Sequence, residues 1–199
     1  MRLKALALCV AMVAAGPLLA QEKPAQEKSA QEKTIDTQRS SITIHVGKSG
    51  LLSAAAHDHT VNAPISSGAI VESGAAHIEF RIETAKMKVK PDPKIDASDQ
   101  ATIQTHMEEM TLETTKFPEI IFRSSRIQKL ADGQWKVDGD LSLHGVTKPV
   151  SLTVKQTGAS YTTHTVLKQT DFGIKPISIG GGIIKVRNEV EIDFQIFSR

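Results

Sequence analysis

Apolar and polar side chains alternate with a period of two in several parts of this chain. The clearest stretches are residues 41–46, 78–83, 135–143, 150–154 and 190–196. Because successive side chains of a strand point to opposite faces, this period predicts strands that each have one apolar face. The chain therefore reads as predominantly β.

Turn signals separate the predicted strands. They include Asp132-Gly133, His144-Gly145 and the glycine run at residues 180–182. Their spacing favours an antiparallel sandwich or barrel over a parallel sheet. We interpret the glycine run as a flexible hairpin connection, because it lacks the Lys-Ser/Thr ending of a phosphate-binding loop.

Residues 98–113 have helical periodicity instead. Ser98 is a suitable N-cap, and Ile103, Met107 and Met110 recur at helical spacing. We predict one short amphipathic helix that packs onto the sheet through its methionines. A lid over an apolar opening is the alternative role for these adaptable side chains.

The first 34 residues have a different composition. Residues 1–20 combine Arg2 and Lys4 with an apolar run and end in Leu-Leu-Ala, which predicts a secretory signal peptide cleaved after Ala20. Residues 21–34 continue a repeated AQEK unit with no apolar side chain larger than alanine, so we expect a disordered spacer. Residues 35–199 are then expected to form a single exported domain.

Composition excludes several kinds of chemistry from that domain. The only cysteine, Cys9, leaves with the predicted signal peptide, which removes disulfides, thiol nucleophiles and thiolate metal ligands. Loss of Arg2 and Lys4 leaves 22 basic and 22 acidic residues. A chain with this neutral balance has no net positive charge to attract nucleic acid. The spacing of Ser, His and Asp marks no hydrolase triad. We therefore expect a protein that is not an enzyme.

A secreted chain of alternating strands could also be an outer-membrane barrel. Such barrels carry belts of Trp and Tyr, whereas this chain has one Trp, one Tyr and six Phe. We therefore place the apolar face of each strand inside the barrel. An interior poor in aromatic rings can be partly empty and can hold one small ligand.

His57 and His59 flank Asp58 and, on an extended chain, point to the same side. They could share a metal ion, but a stable site needs three or more protein ligands, and no further ligand stands at a recognisable spacing. Two other roles remain open for the pair. It could be hydrogen-bonded on the barrel wall, or it could receive a lipid headgroup and respond to pH.

Three segments together resemble the YceI-like polyisoprenoid-binding proteins of the bacterial periplasm. They are DGDLSLHGVTKPVSLTV at residues 138–154, KFPEIIFRSSRI at 116–127 and QTDFGIKP at 169–176. The resemblance implies an all-β, lipocalin-like antiparallel barrel of about eight strands with one short α-helix. It also implies a long isoprenoid lipid as ligand, and it transfers no catalytic residue and no cofactor.

The expected function is therefore a periplasmic carrier or sequestering protein for an isoprenoid lipid, with transient membrane contact during exchange. The residues expected to line its apolar tunnel are Phe80, Ile82, Trp135, Val137, Leu141, Leu143, Phe172 and Phe194. One alternative is a metal-binding or redox-associated periplasmic protein that uses His57 and His59. The other is a lipid-free interaction module with a filled core.

Overall fold

The computed structural model describes residues 32–50, 57–72 and 75–199. The predicted signal peptide and residues 21–31 of the predicted spacer lie outside these ranges. The strands are β1 Glu32–Thr34, β2 Ser41–Ser49, β3 His59–Asn62, β4 Ile65–Val71, β5 His77–Glu83, β6 Lys88–Val89, β7 Glu119–Ala131, β8 Gln134–Leu143, β9 Val146–Thr157, β10 Ser160–Lys168, β11 Ser178–Ile179 and β12 Ile184–Phe197. One α-helix, α1, covers Ala97–His106, and a π-helical turn, Met107–Thr111, continues it.

The strands form one curled antiparallel sheet in the order β1-β4-β5-β7-β8-β9-β10-β12-β2-β3-β6. Eleven strands lie on this path, and the two-residue β11 pairs with β12. The architecture is the predicted antiparallel barrel with one short helix, but the predicted count of about eight strands is wrong. The strands β1, β3 and β6 have four residues or fewer, too few to produce a period-two pattern.

Backbone hydrogen bonds close one end of the barrel around the start of the domain. The N–H of Ile35 donates to the Gly68 carbonyl at 3.0 Å, and the N–H of Asp36 donates to the Phe197 carbonyl at 2.7 Å. The chain from β1 to Asp36 therefore lies between β4 and the end of β12. The carboxylate of Asp36 also accepts a hydrogen bond from Arg199 at 2.9 Å, which contributes most to lowering its pKa to about 2.

The predicted spacer ends earlier than expected. Its last three residues form β1, which pairs with β4 in the register Glu32↔Val71 to Thr34↔Ala69. Backbone pairing does not require apolar side chains, so the polar composition of this segment did not reveal the strand.

The apolar faces point inward, as predicted. Along β12, Ile192 and Ile196 are buried, whereas Glu191, Asp193 and Gln195 are exposed. The interior apolar side chains from β2, β4, β5, β7, β8, β9 and β12 form a single cluster. Within the described residues, no helix is long and apolar enough to cross a membrane.

The helix differs from its prediction in two respects. Its N-cap is Asp96, whose carboxylate accepts the N–H of Asp99 at 2.8 Å, and Ser98 lies inside the helix. The α-helical hydrogen bonding ends at His106 and not at residue 113. In the π-helical turn that follows, Met107 is buried, but Met110 is 61% exposed and does not pack on the sheet. The extra residue of a π-turn rotates the chain, so the 3.6-residue period no longer applies beyond it.

Candidate functional site

We call residues 97–113, which comprise α1, the π-helical turn and the two residues after it, the helical segment. An apolar cavity of about 130 Å³, the main cavity, lies in the barrel interior beneath this segment. Side chains from seven strands line it, and Met107 and Leu112 form part of its wall on the helical side. Its polar lining consists of Thr111, Lys168 and Gln169. The Gln169 side chain already donates a hydrogen bond to a β12 carbonyl at 2.7 Å. The wall therefore offers a ligand mainly dispersion contacts.

All eight residues predicted to line a tunnel border a cavity, but they divide between two. Trp135 and Val137 line a second cavity of about 230 Å³, the lower cavity. The other six line the main cavity: Phe80, Ile82, Leu141, Leu143, Phe172 and Phe194. Ligand contact by these residues remains a prediction. The interior is not filled end to end, as the interaction-module alternative would require.

Sequence reasoning missed several residues of the main cavity. Met87 follows a 3₁₀ turn, Leu112 follows the π-helical turn, and Ile174 lies in the loop before β11, so none belongs to an alternating run. All three are buried. Their apolar character was visible in the sequence, but their position depends on loops that fold back over the sheet.

The segment QTDFGIKP fills an opening in the barrel wall. Strand β9 pairs with β10 only through Lys155–Thr157, whereas β10 remains paired with β12 as far as Lys168. The two strands therefore separate beyond this short ladder. The 3₁₀ turn Gln169–Phe172 contacts β9, β10 and β12, and its Phe172 is buried at the wall of the main cavity.

The other two motif segments pack against each other. His144 and Gly145 form the two-residue turn between β8 and β9, with φ of 52° and 75°. The His144 ring lies 4.2 Å from the Phe117 ring, measured between centroids, and its Nε2 lies 2.8 Å from a Glu113 carboxylate oxygen. This hairpin therefore holds the end of the helical segment. This geometry gives both motif segments a structural role at this end of the barrel.

His57 and His59 both line a third cavity of about 500 Å³, the polar cavity. Its wall contains charged and apolar side chains: Lys94, His106 and Lys185, together with Ile95, Ile103 and Ile184. The polar cavity and the main cavity share Val46 as a lining residue, so they adjoin. A charged or hydrogen-bonding end of a ligand could therefore sit beside an apolar chain in the main cavity.

The described part of the chain contains no group of three or more His, Cys, Asp or Glu that could hold a metal ion. The carboxylate of Asp58 accepts the backbone N–H of Lys48 at 2.9 Å. Burial, followed by the nearby His57, lowers the pKa of His59. Two imidazoles fall short of the three ligands that a stable site needs.

A polar cluster forms the far wall of the lower cavity. The Tyr161 hydroxyl donates to Glu72, and Gln156 donates to the same carboxylate at 3.2 Å. Lys33 pairs with Glu72 at 2.7 Å, and Trp135 donates to Gln156 at 2.9 Å. Burial and then the Glu72 hydrogen bond raise the pKa of Tyr161 to about 12, while the Lys33 hydrogen bond is the main cause that lowers the pKa of Glu72.

The model of the YceI-like domain matches residues 34–197. The chain therefore belongs to the YceI-like domain family. The solved structures that share its fold include two that are each 16% identical in sequence. One is BcnA of Burkholderia cenocepacia, with a TM-score of 0.55 over 81% of this chain and 98% of that protein. The other is a polyisoprenoid-binding domain from Saccharophagus degradans implicated in plant cell wall breakdown, with a TM-score of 0.56 over 84% of this chain and 97% of that domain.

Curated relatives match over shorter segments. A UPF0312 protein of Shewanella baltica is 30% identical over 102 residues, which are 46% of this chain and 53% of that protein. Protein YceI of Shigella flexneri is 38% identical over 74 residues, 32% of this chain and 38% of that protein. The aligned segments thus span about half of these relatives or less.

Proposed function

We propose that this protein is a non-enzymatic, periplasmic carrier that holds the chain of an isoprenoid lipid in the main cavity. The observation that carries the proposal is an unfilled cavity whose wall is almost entirely apolar. The solved polyisoprenoid-binding domain with the same fold supports it. The predicted signal peptide supports export to the periplasm.

Burial alone can provide the affinity. Each buried CH₂ contributes about 0.8 kcal/mol, so one five-carbon isoprene unit contributes about 4 kcal/mol before the ordering terms are subtracted. Such binding needs no catalytic group and no hydrogen bond to the chain.

The size of the main cavity indicates that a wall must move. A dry cavity of about 150 Å³ holds one benzene molecule. The main cavity, at about 130 Å³, therefore has room for about one isoprene unit. A longer chain requires that some part of the wall is displaced.

The helical segment is the wall that can move most easily. All ten residues of α1 are at least partly exposed, and the segment is held through buried Met107 and Leu112 and a few polar contacts. Gln104 accepts the Val89 N–H at 2.8 Å and donates to the Met87 carbonyl at 3.0 Å. We expect this segment to act as the lid, a role that Met107 can take but exposed Met110 cannot.

The polar end of the lipid is expected to face the polar cavity, beside His59, Lys94 and Lys185. Exchange of lipid would then involve transient contact with a membrane surface near the lid. Because burial lowers the pKa of His59, this ring is expected to be neutral at neutral pH and to gain charge only in acid.

Organic extraction tests the proposal. The full chain is expressed in a Gram-negative host, purified from the periplasmic fraction and extracted, and the extract is analysed by mass spectrometry. We expect the intact mass of the purified protein to correspond to a chain that begins at Gln21, and we expect the extract to contain a prenyl lipid. A chain retained in the cytoplasm contradicts the localisation, and a clean extract together with no binding of added prenyl lipid contradicts the carrier function.

The metal-binding alternative is tested on the same material. Metal analysis of the purified protein is compared with that of a His57→Ala/His59→Ala double variant. A stoichiometric ion in the parent that is lost in the variant would favour the metal-binding alternative over the carrier.

A further inference from the structure

The main and lower cavities are separate spaces in one barrel. Different residues line them, and the boundary falls at the same level on neighbouring strands. On β5, Ile78 lines the lower cavity and Ile82 the main cavity, with Phe80 between them. On β7, Ile127 lines the lower cavity and Ile120 the main cavity, with Phe122 between them.

Three phenylalanine rings fill this level of the interior. Phe80 and Phe122 are direct cross-strand partners, and their ring centroids lie 5.3 Å apart. Phe194 belongs to β12, which four strands separate from β5 in the sheet order, yet its ring centroid lies 6.2 Å from that of Phe80. The Phe80–Phe194 contact therefore crosses the bore. We name Phe80, Phe122 and Phe194 the aromatic layer.

A glycine provides the room for one of these rings. A Cβ on Gly139 would lie 2.7 Å from the Phe122 ring. This distance is shorter than an ordinary carbon contact. At this level β8 thus has no side chain, and the Phe122 ring takes the space.

The lower cavity is lined mainly by apolar side chains, but its far wall is polar. Its far wall contains Glu72, Gln156 and Tyr161. The Glu72 carboxylate accepts hydrogen bonds from the other two side chains and pairs with Lys33 behind them. A tail that reached this cluster would displace water from charged groups without replacing its hydrogen bonds. The main cavity has no comparable cluster among its lining residues.

We propose that the aromatic layer is a stop that limits how deep a lipid chain enters, with Phe80 and Phe194 as the residues that determine the accepted chain length. This inference rests on the proposed carrier function. The chain is held on the helical side of the layer. Its tail does not reach the lower cavity unless the two rings are removed or move apart.

Trp135 is a built-in reporter for this stop. It is the only tryptophan of the chain and lines the lower cavity. A prenyl alcohol of four isoprene units with a bromine at the tail end quenches tryptophan on contact. Native mass spectrometry of the full chain measures binding, and Trp135 emission measures whether the tail has crossed the layer.

We expect the parent to bind this probe without quenching of Trp135. Phe80→Ala joins the two cavities, so its complex should show strong quenching, and affinity should rise roughly tenfold or more when the chain is lengthened by one unit. Phe172→Ala is the matched control, because it also removes a phenyl ring from the main cavity wall but leaves the aromatic layer intact. Its complex should remain unquenched. Should Phe80→Ala fail to fold, Phe194→Leu tests the same contact with a smaller loss of volume.

The outcomes separate the stop from the carrier function. No binding of the probe to any variant contradicts the proposed function itself. Binding with quenching already in the parent overturns the stop. Binding to a folded Phe80→Ala or Phe194→Leu variant without quenching and without a changed length preference overturns it as well.

Discussion

Ala63 offers a way to fill the main cavity without disturbing the sheet. Its side chain is fully buried, with 0% exposure, and lines the main cavity. Ala63→Leu adds three carbons beside a space of about 130 Å³. We predict that this substitution stabilises the folded protein and weakens lipid binding.

The size of the stabilisation follows from the carbons added. Three methylene-sized groups contribute about 2.4 kcal/mol at about 0.8 kcal/mol each, and the lost rotamer freedom of leucine subtracts about 0.5–1 kcal/mol. The net gain is therefore about 1–2 kcal/mol. For a domain of this size it corresponds to a rise of a few degrees in the unfolding midpoint.

Urea unfolding followed by circular dichroism measures the change. Ala69→Leu is the matched control, because Ala69 lies between the inward residues Gly68 and Ile70 on β4, so its side chain points to the outer face. The control adds the same carbons outside the barrel and should change neither the interior nor lipid binding.

The opposite result would refute the reasoning. If the interior were a filled core, the added carbons would overpack it and destabilise the protein by about 1–3 kcal/mol. A destabilised Ala63→Leu variant with unchanged Ala69→Leu stability would therefore contradict an unfilled cavity.

Three further predictions concern the Asp36–Arg199 ion pair, the lid and the hairpin. The pKa of Asp36 is lowered from 3.8 to about 2, mainly by the hydrogen bond from Arg199, so this contact stabilises the fold above pH 3.8 and is lost as the pH falls through 2. Arg199→Gln should lower the urea midpoint at pH 7 and make that midpoint fall less in acid. A midpoint that still falls as steeply in acid would argue against a stabilising Asp36–Arg199 contact. Gln104→Ala removes two hydrogen bonds between the lid and the β6 region and leaves the Lys88–Glu108 ion pair, so stopped-flow release of bound lipid should be faster. An unaltered rate would exclude this lid. Gly145→Ala places a Cβ 2.6 Å from the Phe117 ring at a residue with a φ of 75°. Thermal unfolding should therefore show a free energy of unfolding that is lower by about 1–3 kcal/mol. An unchanged free energy of unfolding would mean that the hairpin does not hold the helical segment.

The strands could be predicted because their signal is local. In the run from Ile78 to Ile82 every second side chain is apolar, and the inward face follows directly from that period. The inward direction of Phe80, Trp135 and Phe194 was predictable for the same reason. The short strands β1, β3 and β6 lack enough positions for a period.

The division of the interior could not be predicted, because it depends on contacts between distant strands. Nothing in the local sequence of Phe80 and Phe194 shows that their rings meet across the bore. Likewise, the absence of a side chain at Gly139 matters only because the Phe122 ring lies beside it. The end of the α-helix was missed because a π-turn interrupts the helical period at Met107.

The central claim is that the main cavity takes a lipid chain. Native mass spectrometry of the parent and of Ala63→Leu, each titrated with a prenyl alcohol of three isoprene units, tests it most directly. The claim predicts a complex of one lipid per chain with the parent and a much weaker complex with Ala63→Leu. Absence of a complex with the parent, or equal binding by both proteins, would contradict it.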